Sequence, residues 1–448
     1  VNFKRFLYAD LLKWKANTKH KPLILRGARQ VGKTTLIRQF AKEFDHFIEL
    51  NLELKSDITP FQELDDIEQI LNAIYLLKGS PKPKQQTLIF IDEIQESAKA
   101  IKQLRYFYEK LPNLHVIAAG SLLEFALQKV GSFPVGRIEY LYLHPLNFEE
   151  FLLAKENNNA VEALNTVPFP KFAYSTLFNL FHEYAIIGGM PEIVANYIEH
   201  NNIARLASNY NALWETYKDD FAKYASNNTE KQLLRFIIEQ APNEADRISF
   251  EKFGNSVYRS REVGEALRLL DLAGIQLLIY PTTNTALPIQ VNVKKRPRLQ
   301  FLDVGLLNEA LSLQGEMLTI TNLNDFYRGK IISQLINQEL IAIHNSYKYK
   351  PVFWVRDKKT SSAEVDLVYK HKQMLIPIEI KSGAAGKLKS LHQFMNVCEH
   401  PYAIRLLANK LEVIDAKTIS GTKFKLLNLP YFLAAKLPEY IKWFIGNY

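Results

Sequence analysis

Nine residues near the start of the chain, Gly27 to Thr35, limit what the rest can be. They read GARQVGKTT and fit G-x-x-x-x-G-K-[ST] with Gly27, Gly32, Lys33 and Thr34 in register. The flanks suit the motif. Pro22 to Leu25 is a short apolar run that predicts a buried strand, and Leu36 to Phe44 has the spacing of a helix, with Leu36, Ile37 and Phe40 on one face. Strand, glycine-rich loop and helix are the parts of a phosphate cradle. The glycines let the backbone N–H groups of Gly27, Ala28, Arg29, Gln30, Val31, Gly32, Lys33, Thr34 and Thr35 turn toward phosphate oxygens, and the helix start adds its positive dipole end. Lys33 is expected on the β- and γ-phosphates, and the Thr34 hydroxyl on Mg²⁺.

A second motif stands where the first requires one. Thr87 to Glu93 reads TLIFIDE, an apolar run ending in two acids. That is the form of a buried parallel strand, and ligands of open α/β sheets sit at the carboxyl ends of such strands. Asp92 is expected to hold Mg²⁺ through water, and Glu93 to orient and deprotonate an attacking water. The two motifs together predict binding and hydrolysis of ATP or GTP.

Composition narrows the setting. The 448 residues suffice for about three domains. A single cysteine, Cys398, excludes an intramolecular disulfide framework, which fits a reducing compartment. No run of ~18 apolar residues predicts a spanning helix, and VNFKRFLYADLLKWK lacks the apolar core of a secretory signal, so a cytoplasmic protein without a membrane role is expected. The net charge of +9 is lopsided. Residues 1–228 hold 26 Lys and Arg against 26 Asp and Glu, and residues 229–448 hold 30 against 21. A basic second half suggests a polyanion partner such as DNA, or else an idle basic surface.

Strand and helix patterns alternate through the first 150 residues, which predicts a doubly wound parallel sheet. His115 to Ala119 is a strand candidate followed by Gly120-Ser121. Ser121 is placed to hydrogen-bond a γ-phosphate or the attacking water, or to cap the next helix. Arg137 stands just before the strand Ile138 to Leu143. It could reach developing charge on a phosphate, in its own subunit or a neighbour's within a homo-oligomer, or form a structural ion pair.

GARQVGKTT, FIDE, the Gly-Ser after the next strand and VGRIEYLYLHPLNFEEF together resemble AAA-type P-loop ATPases, in particular bacterial and archaeal proteins with a further C-terminal domain of unknown function. The resemblance implies ATP and Mg²⁺ as ligands. It also implies that Gly188-Gly189-Met190-Pro191 opens a helical lid whose Pro191 lies against adenine; from the residues alone, Gly-Gly-x-Pro is a turn. The expected organisation is an ATPase domain over 1–155, a helical lid over 156–228, a winged helix over 229–310 and a nuclease-like α/β domain over 325–448.

The winged helix rests on a pattern of three helices, from Lys231, Ser249 and Ser260, then strands Gln276 to Tyr280 and Ile289 to Val293. Lys294, Lys295, Arg296 and Arg298 would then touch DNA phosphates. Packing against the ATPase without DNA is the other reading. In the last domain, strands around Asp366 and Leu375 to Lys381 bring Asp366, Glu379 and Lys381 to one sheet face, a set able to hold Mg²⁺ and activate water. The pattern resembles the PD-(D/E)xK nuclease fold. Where the resemblance implies an acid on the opening helix, this chain has Ser333; Glu339 lies further along and compensates only if the helix is rotated. An inactive nuclease fold kept for binding or assembly is therefore the alternative. The expected function is ATP hydrolysis driving conformational change, acting on DNA or, alternatively, on a protein partner.

Overall fold

Five short aliphatic runs become one parallel sheet: β1 (Leu23–Arg26), β2 (His46–Asn51), β3 (Thr87–Asp92), β4 (His115–Ala119) and β5 (Glu139–Tyr142), in the order β2-β3-β4-β1-β5. β3 and β4 are central and buried along their whole length, which is why they read as unbroken apolar runs; the edge strands β2 and β5 are half-buried and keep polar residues. The computed structural model describes residues 3–80, 86–120, 123, 136–225, 227–313, 330–358, 362–381 and 388–448.

The chain forms two units. The first is Val1–His144 with Leu272–Gly274 and His344–Lys348; the second is the remainder. In the first, α1 (Leu7–Ala16), α2 (Lys33–Phe40), α3 (Lys55–Glu63), α4 (Ile67–Leu77) and α5 (Ala98–Lys110) accompany the sheet. Ile48, Ile89 and Val116 share a core with Ile70, Ile74, Leu104 and Phe107 from α4 and α5. Asp66 caps α4 by accepting from the Glu68 and Gln69 N–H groups, and Ser97 caps α5 at Ala100. On the outer side of β5 the Tyr142 N–H donates to the Asn345 carbonyl at 2.7 Å. Among the described residues, no helix is long and apolar enough to cross a membrane.

The second unit begins with helices α6 (Phe148–Ala154), α7 (Asn158–Asn165), α8 (Tyr174–Ile187), α9 (Pro191–His200), α10 (Ala207–Tyr224), α11 (Asn228–Gln240) and α12 (Ser260–Leu272). The antiparallel pair β6 (Gln276–Ile279) and β7 (Arg298–Phe301) follows, then α13 (Val304–Ala310) and α14 (Lys330–Ala342). A six-stranded mixed sheet closes the chain. It is built from β8 (Val352–Val355), β9 (Glu364–His371), β10 (Met374–Ile380), β11 (Tyr402–Leu407), β12 (Glu412–Lys417) and β13 (Lys423–Pro430), in the order β12-β13-β11-β10-β9-β8. Helices α15 (Lys389–Met395) and α16 (Leu437–Asn447) complete the unit.

One boundary is drawn differently by contacts, and two expectations are corrected. The helix α6, placed above within the ATPase domain over 1–155, groups by contacts with the second unit, and its Phe148 N–H is held by Glu339 of α14. The strand partner of β6 is Arg298–Phe301, not Ile289 to Val293. Val291 and Val293 are 49% and 65% exposed, whereas Leu299 and Phe301 are buried, so pairing with β7 removes more apolar surface from water. The second helix of the expected three is a single 3-10 turn, Phe253–Asn255, interrupted by Gly254 at φ 58°.

Candidate functional site

The glycine-rich loop leaves β1 and enters α2 without a capping side chain, so the first N–H groups of the helix remain for a ligand. Gly27 has φ 147° and passes so close to β5 that a Cβ there would lie 2.3 Å from the Leu143 carbonyl oxygen; no other residue fits. Lys33 is buried, and its ammonium donates to the Gly27 and Ala28 carbonyls at 3.0 and 2.9 Å. Burial lowers its pKa to about 8, against the pull of Glu93 and Asp92.

β3 delivers the acids to the same place. The Thr34 hydroxyl donates to Asp92 Oδ2 at 2.7 Å, and the Glu93 N–H to Asp92 Oδ1 at 3.0 Å. Burial raises the Asp92 pKa. Among the described residues its carboxylate thus hydrogen-bonds only uncharged donors, in a desolvated position beside a hydroxyl, which suits a shared divalent cation. Glu93 turns out of the strand with φ 52°, and its carboxylate accepts from the Gln95 side-chain amide. Gln95 was not singled out from the sequence; the signal was its place two residues past the acid pair. These groups fit Mg²⁺ and a nucleoside triphosphate: a hydroxyl and a carboxylate converge, a lysine sits in the loop, and the helix start is uncapped.

Other expected residues stand apart. Ser121 lies outside the described residues; β4, which it follows, does pair with β3. Arg137 is exposed, and its Nε sits 3.2 Å from Glu109 Oε1, which also takes Arg105. The structural ion pair is what the geometry shows. Pro191 is the first residue of α9, in the second unit. The glycines before it have a structural account. The Gly189 N–H donates to Asp303 Oδ2 at 2.6 Å, and a Cβ on Gly189 would lie 2.0 Å from the Leu146 oxygen.

The C-terminal triad does assemble. β9 and β10 pair antiparallel through Leu367 and Ile378, so Asp366 and Glu379 follow one another into register, and Asp366 Oδ2 accepts the Ile380 N–H at 2.9 Å. Lys381 pairs with Glu379. Glu379 is buried, one of its oxygens has no hydrogen-bond partner among the described residues, and burial together with Asp366 pushes its pKa up to about 7. Arg298 was expected on DNA phosphates. It is instead buried on the Phe353 ring and pairs with Glu364. It also lies 3.5 Å from Asp366 Oδ1, and its Nε is 2.9 Å from Asp246 Oδ2 without hydrogen-bond alignment. Of the two carboxylates that would hold a metal, Asp366 thus has a guanidinium beside it and Glu379 an ammonium. Among the described residues no group of three or more His, Cys, Asp or Glu has the geometry of a metal site.

Nor does Glu339 compensate for Ser333. Its fully buried carboxylate accepts the Phe148 N–H at 3.0 and 3.2 Å and the Tyr184 hydroxyl at 2.8 Å, and burial raises its pKa to about 8. One position earlier, Gln338 donates to Tyr184 and to Asp303, whose own pKa burial raises to about 6. The polar residues of α14 thus fasten helices together.

Residues 19–152 match the AAA domain family, residues 178–317 a domain of unknown function (DUF8612) and residues 328–431 another (DUF4143). An uncharacterised protein of Methanocaldococcus jannaschii is 26% identical over 329 residues, 68% of this chain and 66% of that protein, just under two thirds of its length. Among solved structures, the Walker-type ATPase of Pyrococcus abyssi has a TM-score of 0.45 at 16% identity, covering 69% of this chain and 96% of that one. The Aeropyrum pernix Orc1 protein, solved in complex with DNA, has 0.32 at 14%, covering 71% and 95%. The matched family and the geometry of its two motifs make residues 19–152 an ATPase-like P-loop domain of the AAA type.

Proposed function

We propose that the first unit binds Mg²⁺–ATP and hydrolyses it to drive a conformational change, and that the second unit grips a partner rather than cleaving nucleic acid. The observation that carries the first half is the convergence of Lys33, Thr34, Asp92 and Glu93 at the ends of β1 and β3. In this reading the Lys33 ammonium leaves the Gly27 and Ala28 carbonyls for phosphate oxygens. Its pKa of about 8 keeps it mostly charged at neutral pH. The uncapped N–H groups of α2 hold the phosphates in place. Thr34 and Asp92 hold Mg²⁺, which supplies charge neutralisation on the phosphates. Glu93, aimed by Gln95, orients water and takes its proton. Arg137 and Ser121 remain candidates for the γ-phosphate, and Pro191 for the adenine.

The second half rests on Arg298. A guanidinium pairing with Glu364 and lying beside Asp366 supports a binding or assembly role for the PD-(D/E)xK-like triad Asp366, Glu379 and Lys381. The test is ATP turnover by the full chain with and without duplex DNA at low and high salt, with Glu93→Gln as control. Salt-sensitive stimulation makes DNA the partner. Turnover indifferent to DNA favours a protein partner. Turnover that persists at wild-type rate in Glu93→Gln overturns the site assignment, and Mg²⁺-dependent cleavage of DNA that disappears in Asp366→Ala overturns the quiescent triad.

A further inference from the structure

The second unit contains a cleft of about 210 Å³ beside the carboxylate cluster. Two segments build it. Arg247, bridged to Arg298 at the start of β7, and Lys295, just before β7, form one side; Arg356, Lys358 and Ser362 between β8 and β9, with Glu364 at the start of β9, form the other. Four cations thus face one carboxylate across a space large enough for a phosphate group with its neighbours.

The charges do not cancel. Among the described residues Glu364 is the only acid in the lining, and it already pairs with the buried Arg298 as well as with Arg247, whose terminal nitrogen is 3.4 Å away. Two further acids stand close by: Asp246, 43% exposed, lies 2.9 Å from the buried Arg298, and Asp357, 72% exposed, stands 3.6 Å from Lys295, a solvated and weak pair. Lys358 makes no ion pair among the described residues. Both arginines also donate to neutral groups that fix their positions. Arg247 donates to the Arg296 carbonyl at 3.2 and 3.3 Å, and Arg356 to Gln393 Oε1 at 2.9 Å. Anchored guanidiniums with lysines at the rim and a serine hydroxyl are the donor set that suits a tetrahedral oxyanion. All of the chain's net charge of +9 comes from residues 229–448, which include this cleft.

We infer that the cleft is a phosphate-binding site, taking a phosphodiester of a nucleic-acid backbone or the phosphate of a small molecule. Arg356 and Arg247 orient the group, and Lys295 and Lys358 neutralise it. This assignment does not depend on nucleotide hydrolysis by the first unit.

The test uses the full chain carrying Lys33→Ala, so that the phosphate loop of the first unit is silent, with the wild-type chain in parallel. A labelled short DNA duplex is titrated by fluorescence anisotropy over a range of salt, and inorganic pyrophosphate by calorimetry. The double variant Lys295→Glu/Lys358→Glu changes only rim side chains. If the backbone phosphate is the ligand, this variant weakens duplex binding by about tenfold or more and reduces the log–log salt slope by about 2, since each phosphate contact contributes about 0.9. If the source is a small molecule, pyrophosphate binds the parent and is lost from the variant, and the duplex is unaffected. Binding of both ligands unchanged in a variant of unaltered melting temperature overturns the site, as does a parent that binds neither at low salt. Should the double variant fail to fold, Lys358→Glu alone gives the same reading with a slope change of about 1.

Discussion

At the end of β3, Asp92 accepts hydrogen bonds from a hydroxyl and a backbone N–H, and Lys33 reaches carbonyls rather than carboxylates. At the end of β10, Glu379 pairs with Lys381, and Asp366 has Arg298 within 3.5 Å. Both places join two acids and a lysine at strand ends. In one, the acids meet no hydrogen-bonded cation among the described residues, which leaves them for a cation from solution in the proposed reading; in the other, the chain has supplied the cations itself. A list of residue types at the right spacing is the same for both. The partners of the carboxylates separate them.

The contrast can be broken from either side. The largest effects belong to the first site. Lys33→Ala should abolish ATP binding in calorimetry, and Glu93→Gln should retain ATP while turnover falls about 10²- to 10⁴-fold. Retained affinity in the first, or retained turnover in the second, removes the basis of the comparison. Next is Arg298→Ala, which strands Glu364 and Asp366 in a mostly buried position. It should destabilise the second unit by about 3–5 kcal/mol in urea unfolding. A stable variant that gains Mg²⁺ affinity would show instead that Arg298 masks a metal site.

A smaller effect comes from α14. The carboxyls of Glu339 and Asp303 have pKa values raised to about 8 and about 6 from 4.5 and 3.8. The folded state therefore holds their protons more tightly than the unfolded state. Their contribution is fully present below about pH 4 and is lost as pH rises through 6 to 8. Thermal melting of the second unit should fall over that window, and Glu339→Gln, which keeps an acceptor for Phe148 and Tyr184, should flatten it. The smallest change is expected from Arg137→Ala. Its pair with Glu109 is exposed, so the melting temperature should hold. A turnover that falls in this variant, and depends on protein concentration in the wild type, would move Arg137 from an ion pair to a neighbour's active site.

The first site was legible because its chemistry is contiguous: loop and helix in GARQVGKTT, strand and acids in TLIFIDE. β3 and β4 are buried on both faces, so their runs left no ambiguity. What escaped depended on distant partners. Glu339 reads as a spare acid until Phe148 and Tyr184, far back in the chain, are brought to it. Arg298 reads as one more cation in KKRPR, and only the β6–β7 pairing turns it inward to Glu364. The Ile289 to Val293 run has strand-like residues, yet the pairing that buries more apolar surface is made by Arg298–Phe301. Gly-Gly-x-Pro could be read as a turn, but not its close approach to Asp303 and Leu146.

The hydrogen bond from Tyr142 to Asn345 has a practical consequence. β5 is the sheet's outermost strand on that side, and a stretch more than two hundred residues later covers part of its edge. A fragment cut at residue 144 keeps both GARQVGKTT and TLIFIDE but bares that strand's backbone, an open template for pairing with other copies. Expression of the isolated fragment should yield aggregates, and grafting residues 344–348 back through a linker should restore a well-behaved protein.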